Sequence, residues 1–275
     1  MLNKTFKAVL ALVAAIGFIP TALAQQPTEK ALNFQPPATE IMERIDGFHD
    51  LLLWIIFPIT IIVLALMAYV MVRFRAGRNP VPSKTTHNTF IEVIWTAIPV
   101  LILVVIAIQS FPLLTYEEET PEAGLTIKAI GNQWNWTYEY PDHGDFSFTA
   151  IMLNDDELQP GQPRLLATDN HVVVPVDTNV KLLVTASDVI HAWTIPAFGV
   201  KVDAVPGRLN ELWFNVREEG IYYGQCSELC GKDHGFMPIT VEVVSKAKFE
   251  SWVNEAREEF ADAGIVRPIQ VAMAN

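Results

Sequence analysis

The stretch Cys226-Ser-Glu-Leu-Cys230-Gly-Lys-Asp-His234-Gly-Phe-Met237 brings two thiols, an imidazole and a thioether into a dozen positions. Thiolate and thioether sulfur are soft donors that favour copper, and imidazole suits copper in both of its common oxidation states. One Cys with two His and a weak Met would make a mononuclear site, and this chain offers one Cys too many for that. Two thiolates spaced i, i+4 on a tight loop can instead bridge a pair of metal ions, with a second imidazole supplied from elsewhere. The best-placed candidate is His191, in Ser187-Asp188-Val189-Ile190-His191, expected at the end of the apolar run Val180 to Ala186. Gly224, Gly231 and Gly235 free the backbone around the loop. Two alternatives stay open at this level. Cys226 and Cys230 are the chain's only cysteines and could form a structural disulfide. Zinc could also take the thiolates, although a Met ligand argues against it.

The rest of the chain must deliver these side chains to one place outside the reducing cytosol. Lys4 and Lys7, the apolar run Ala8 to Phe18 and Ala22-Leu23-Ala24 have the order of a secretory signal, which predicts cleavage before Gln25. Leu51–Val72 and Val93–Phe111 are uncharged runs of about 22 and about 19 residues, against the roughly 20 that a helical span needs. Between them lie Arg73, Arg75, Arg78 and Lys84 with no acid before Glu92, so the loop 73–92 is expected on the cytoplasmic side. Residues 25–50 and everything from 112 to 275 then fall on the exported side.

Beyond Glu117 the pattern changes to short runs with turn signals between them, such as Pro141-Asp142-His143-Gly144 and Pro160-Gly161. Leu125–Ile130, Trp134–Tyr140, Val172–Val176, Val180–Ala186, Leu212–Val216 and Ile239–Val244 are predicted strands of a small β-sandwich or barrel. Alternation places Trp134, Trp136, Tyr138 and Tyr140 on one face of a strand. Ser245 is placed to cap a final helix whose apolar side is Phe249, Trp252, Val253, Ala256 and Phe260. The chain of 275 residues carries 31 acidic and 19 basic side chains, a formal charge of −12. Acids outnumber bases after Phe111, so the exported part should attract a basic partner in a salt-dependent way. No nucleic-acid partner is expected, and the absence of C-x-x-C-H excludes covalently attached haem within the sequence.

Gly224 through Met237, with Asp188-Val189-Ile190-His191 upstream, resembles the binuclear CuA site of cytochrome c oxidase subunit II, and the resemblance covers essentially the whole mature chain. It implies a two-helix membrane hairpin followed by a cupredoxin-like Greek-key β-domain with a C-terminal helix. It implies that Cys226 and Cys230 bridge two coppers, that His191 and Met237 complete one, and that His234 with the Glu228 backbone carbonyl completes the other. The Glu228 carboxylate would then bind magnesium at the contact with a haem-bearing subunit I. By the same resemblance Trp134 is the point of electron input, and Glu92 stands near the mouth of a proton-uptake path. Glu139, Asp169 and Asp188 match acids of a cytochrome c docking surface, with Asp156 and Glu157 weaker candidates. The expected setting is a bacterial inner membrane with the N-terminus and the copper domain in the periplasm, in contact with lipid, subunit I and a subunit III. The expected activity is electron input from cytochrome c to an oxidase that reduces oxygen to water and pumps protons. A copper-free quinol oxidase subunit, a nitrous oxide reductase and a membrane-anchored copper carrier are the rival readings.

Overall fold

The computed structural model describes residue 27 and residues 31–260, so the expected signal segment and cleavage position lie outside the described residues. Among the described residues two helices come first, α1 (Glu40–Arg73) and α2 (Thr89–Glu118). Both are long and apolar enough to cross a membrane, and the most apolar stretch of each is wholly uncovered by the rest of the chain. That exposure sets them apart from core helices of a soluble domain, which would bury a stripe. Pro58 and Pro99 sit inside them. Each helix is longer than its apolar run. α1 begins at Glu40 rather than near Leu51, because Thr39 caps it: its Oγ1 accepts from the Met42 N–H at 3.1 Å. α2 begins at Thr89, where the Asn88 side chain accepts from the Ile91 N–H at 3.2 Å.

The extra turns of α1 reach into the β-domain. Ala38 N–H donates to Ala197 O at 2.8 Å, and Thr39 Oγ1 donates to Phe198 O at 2.6 Å. Ile41 and Met42 are buried, and Arg217 forms ion pairs with Glu40 and Glu43 at 3.1 and 3.3 Å. From α2, the Tyr116 ring meets Trp213 edge-on at 5.4 Å while Arg44 lies 3.8 Å above the Tyr116 ring centre. Residues 40–50 are therefore continuous in one helix with the apolar run that follows them.

Ten strands follow: β1 (Leu125–Asn132), β2 (Asn135–Tyr140), β3 (Phe146–Ala150), β4 (Val172–Pro175), β5 (Val180–Ala186), β6 (His191–Ile195), β7 (Val200–Ala204), β8 (Asn210–Phe214), β9 (Gly220–Gln225) and β10 (Pro238–Val244), then α3 (Lys246–Phe260). They form a sheet in the order β3-β2-β1-β5-β8, a second in the order β4-β10-β9, and the hairpin β6-β7. β1 pairs parallel with β5, and β10 pairs parallel with β4, while the hairpin neighbours run antiparallel. Strict alternation of buried and half-exposed positions in β1, β2, β3 and β5 gives each one face on a shared core. This is the β-domain anticipated from the short alternating runs. α3 behaves as its apolar pattern predicts. Ser245 Oγ accepts from the Lys248 N–H at 3.3 Å, Phe249, Val253 and Ala256 are buried, and Trp252 meets Tyr140 edge-on at 5.2 Å.

Several expectations need correction. β3, β6, β7 and β9 were not among the predicted strands. Trp134 is not in a strand, because the chain turns at Gln133 and Trp134 between β1 and β2. Its face-sharing with Trp136, Tyr138 and Tyr140 fails for that reason: those three are fully buried core side chains, while Trp134 is half-buried at the tip. His191 does not end the Val180–Ala186 strand but opens β6, after a bend through Ser187–Ile190.

Candidate metal centre

Two edges converge on the site. β9 ends at Gln225 opposite Pro238 of β10, so Cys226 and Met237 leave their strands side by side, and Cys226 N–H donates to Met237 O at 3.2 Å. The loop between them is held against β6 by Ser227 N–H donating to Ala192 O at 3.0 Å, next to His191. β9 and β6 approach closely enough that a Cβ on Gly224 would lie 1.9 Å from Thr194 O, so only glycine fits there.

The donor atoms meet as the loop spacing implies. Cys226 Sγ lies 3.8 Å from Cys230 Sγ, 3.8 Å from His191 Nδ1 and 3.3 Å from the Glu228 carbonyl oxygen. Cys230 Sγ lies 3.5 Å from His234 Nδ1 and 3.5 Å from Met237 Sδ. Both cysteines are free and buried, and their sulfurs stand well beyond the roughly 2.05 Å of a disulfide. At 3.8 Å the pair is close enough for one ion to sit at a metal–thiolate distance of about 2.3 Å from each. Two thiols, two imidazoles, a thioether and a carbonyl form a donor set that fits copper better than zinc.

The ionisation of the cluster is arranged for cation binding. Burial works against charge on Cys226, but its contacts with His191, with the main chain of Glu228 and Ala192 and with His234 together outweigh that and lower the thiol to about 6. Burial and then the charge of Cys226 raise Cys230, so the pair holds its second proton more tightly than its first. Burial would lower His191, yet Cys226 on one ring nitrogen and Asp188 on the other raise it. Asp188 Oδ1 is 2.9 Å from His191 Nε2, which leaves Nδ1 facing the sulfur. Burial would raise the Asp188 carboxyl, but hydrogen bonds from His191, Val189 N–H and Gln133 N–H together lower it. Behind the imidazole, Gly131 of β1 supplies the space for the ring, and Trp136 meets it edge-on at 6.0 Å.

The other anticipated residues divide clearly. Trp134 joins the site: a Cβ on Gly231 would lie 3.1 Å from its ring, so the indole packs on the backbone next to Cys230. Glu228 contributes its carbonyl inward while the residue as a whole is exposed. Glu92 is remote, in the first turn of α2, where its carboxylate accepts from Asn88 N–H at 3.3 Å. Glu139 pairs with Lys128 at 3.0 Å, and Asp169 accepts from the Ile151 and Asn170 N–H groups at 2.7 Å. Asp188 is exposed and at the same time supports His191 through Nε2, and Asp156 and Glu157 are exposed on the loop after β3. Reasoning from sequence missed Gln133 and Gly131, which lie far from the ligands along the chain, and the Asp188 contact, which depends on the bend before β6.

Comparison with known proteins bears on the family of the chain. A family model described as "Cytochrome C oxidase subunit II, periplasmic domain" matches residues 125–244, and one described as "Cytochrome C oxidase subunit II, transmembrane domain" matches residues 27–113. The chain is 51% identical over 247 residues to the "Probable cytochrome c oxidase subunit 2" of Rickettsia bellii, covering 90% of this chain and 92% of that one. It is 44% identical over 243 residues to cytochrome c oxidase subunit 2 of Oenothera berteroana, covering 86% and 94%. Among solved structures, the periplasmic domain of subunit II of cytochrome oxidase from Bradyrhizobium japonicum is 56% identical, covers 52% of this chain and 99% of its own, and aligns with a TM-score of 0.49.

Proposed function

The chain belongs to the cytochrome c oxidase subunit II family, and we propose that it is the electron-input subunit, taking electrons from cytochrome c at a binuclear copper centre and passing them to haem in subunit I. Oxygen reduction to water and its coupled proton pumping belong to that partner. Membership makes the chain a subunit of a membrane oxidoreductase complex. The observation that carries the finer reading is the convergence of Cys226, Cys230, His191, His234 and Met237, with contacts of 3.5–3.8 Å between their donor atoms. When bound, a pair of coppers would supply a one-electron store whose charge is spread over both thiolates.

The chain's own residues hold that store still and connect it to the surface. Cys226 leaves β9, His191 opens β6 and Met237 precedes β10, so strand pairing fixes three ligand positions before any ion arrives. Preformed positions need little rearrangement when charge is gained or lost, which favours fast electron transfer. Trp134 is half-buried against Gly231, and we assign it the point of electron input. Glu139, Asp169 and Asp188 lie on the exported domain as acids suited to a basic cytochrome c. The exposed Glu228 carboxylate is assigned to magnesium at the subunit I contact, and Glu92 to the mouth of a proton-uptake path. The two uncovered helices face lipid and the partner subunits I and III. The membrane is the bacterial inner membrane, with the N-terminus and the copper domain on its periplasmic side.

The test is electron paramagnetic resonance of the full chain in detergent after copper addition. Two coppers per chain, with a hyperfine pattern richer than one nucleus can produce, supports the binuclear electron-input site. A mononuclear signal would turn the reading to a copper carrier, and oxidised Cys226 and Cys230 with no signal would return the cluster to a disulfide.

A further inference from the structure

Gln133 is exposed at the tip of the β1–β2 turn, yet both of its ends are engaged. Its main-chain N–H donates to Asp188 Oδ2 at 2.7 Å, and its side-chain Nε2 donates to Cys230 O at 2.8 Å. These partners are 55 and 97 positions away along the chain, and each belongs to a different arm of the metal cluster. Asp188 holds His191 Nε2, and Cys230 carries one of the two sulfurs. A free surface glutamine keeps its rotamers, and fixing one costs up to roughly 2 kcal/mol of side-chain entropy, so an exposed Gln tied into a defined bond is ordered by its partners. The turn is sewn to the His191 arm twice more, by Ser187 N–H donating to Gly131 O at 3.0 Å and by Ser187 Oγ donating to Asn132 Oδ1 at 2.7 Å. On the Cys230 arm, the only side-chain hydrogen bond from the turn among the described residues is that of Gln133.

The geometry points to Gln133 as a positioning residue that locks the imidazole arm to the thiolate arm and holds Trp134 over both. Gly231 makes this close approach possible. Its φ of +125° suits glycine, and a Cβ there would lie 3.1 Å from Gln133 Nε2 and 3.1 Å from the Trp134 ring. The chemistry asks for an N–H donor at the length of a glutamine amide. Glutamate has the length but no donor, and its charge would face the Cys230 carbonyl. Alanine removes the side-chain tie and keeps the main-chain bond to Asp188. The inference rests on the copper electron-input reading, which is checked separately on the unmodified protein.

The experiment places Gln133→Ala and Gln133→Glu in the assembled oxidase and measures copper content, the copper absorption and paramagnetic spectra, and steady-state kcat and KM for cytochrome c. Copper content is expected to hold while both spectra shift. At saturating donor, kcat should fall about 3–10-fold, the scale of one lost hydrogen bond, with the Glu variant lower than the Ala variant. Unaltered spectra with unaltered kcat overturn the inference. So does a rise in KM alone, which would make Gln133 a docking residue with no hold on the metal. If the Glu variant fails to assemble, the Ala variant decides the matter, since its main-chain contact is intact. Absence of a copper signal from the unmodified oxidase would instead defeat the copper reading itself.

Discussion

Gly131→Ala puts the site's packing to the most direct test. A methyl group built on Gly131 would lie 2.8 Å from Cδ2, 2.9 Å from Cγ and 3.0 Å from Cβ of His191. Ordinary carbon contacts begin near 3.5 Å, so the ring or the strand must move by about 0.7 Å. The ring has little freedom to do so. Asp188 holds Nε2 at 2.9 Å, Cys226 faces Nδ1, Trp136 lies edge-on at 6.0 Å, and the residue is wholly buried. Overpacking of this kind costs about 1–3 kcal/mol, and the lower chain entropy of alanine in the unfolded state offsets about 0.4–1 of it. A net loss of about 1–2 kcal/mol corresponds to a Tm lower by about 2–8 °C at this size. The assay is a thermal scan of the full chain at one fixed rate, followed by copper titration read by absorption. Gly235→Ala is the control, because nothing lies within 4 Å of that position. The reasoning is refuted if Gly131→Ala melts with the wild type and takes up copper with the same spectrum.

Three further outcomes follow from other contacts. Gly224→Ala should abolish folding or lower the yield severely, since its Cβ would sit 1.9 Å from a main-chain oxygen that cannot swing aside; soluble expression of a normally folded variant would contradict the tight β6–β9 approach. Glu242 is held at about 2 rather than 4.5 by its hydrogen bonds to His171 and Lys248, so it contributes stability above pH 4.5 that is lost as pH falls toward 2. Glu242→Gln should therefore lower Tm at pH 7 and converge with the wild type near pH 2–3; a constant gap across that range would rule out the ion pairs as the cause. Thr39→Ala removes both the α1 cap and the bond to Phe198 O, and unfolding should show a loss of about 1–2 kcal/mol, whereas Thr39→Ser should recover most of it.

The metal cluster was legible in the sequence because most of it is local: Cys226, Cys230, His234 and Met237 sit on one loop, and their types alone narrow the chemistry. β5 was legible to the residue because seven positions alternate cleanly between core and surface. β6 was not, since His191–Ile195 is buried on nearly every residue and shows no alternation. β9 hid behind two glycines, and in β7 the buried ends enclose exposed Lys201 and Asp203. Trp134 was drawn into a strand by aromatic spacing that continues across a turn. What sequence could not supply was pairing at a distance. Asp188 is readable as an acid, but its service to His191 depends on a bend at Ser187–Ile190, and the reach of Gln133 to Cys230 spans 97 positions.

The union of α1 with the β-domain governs how the metal site is presented. A helix of 34 residues is about 51 Å long, whereas the hydrocarbon core is about 30 Å thick, so a third or more of the rod stands clear of that core. Its top is bolted to the turn that follows β6 through Ala38 and Thr39, and to the segment between β8 and β9 through the Arg217 ion pairs. The domain therefore rides on a stiff post, not on a leash, and its height and heading above the membrane are set before any neighbour is met. A tethered domain would have to search for its orientation each time it docked. Here the search is confined to rotation of the whole post in the plane of the membrane.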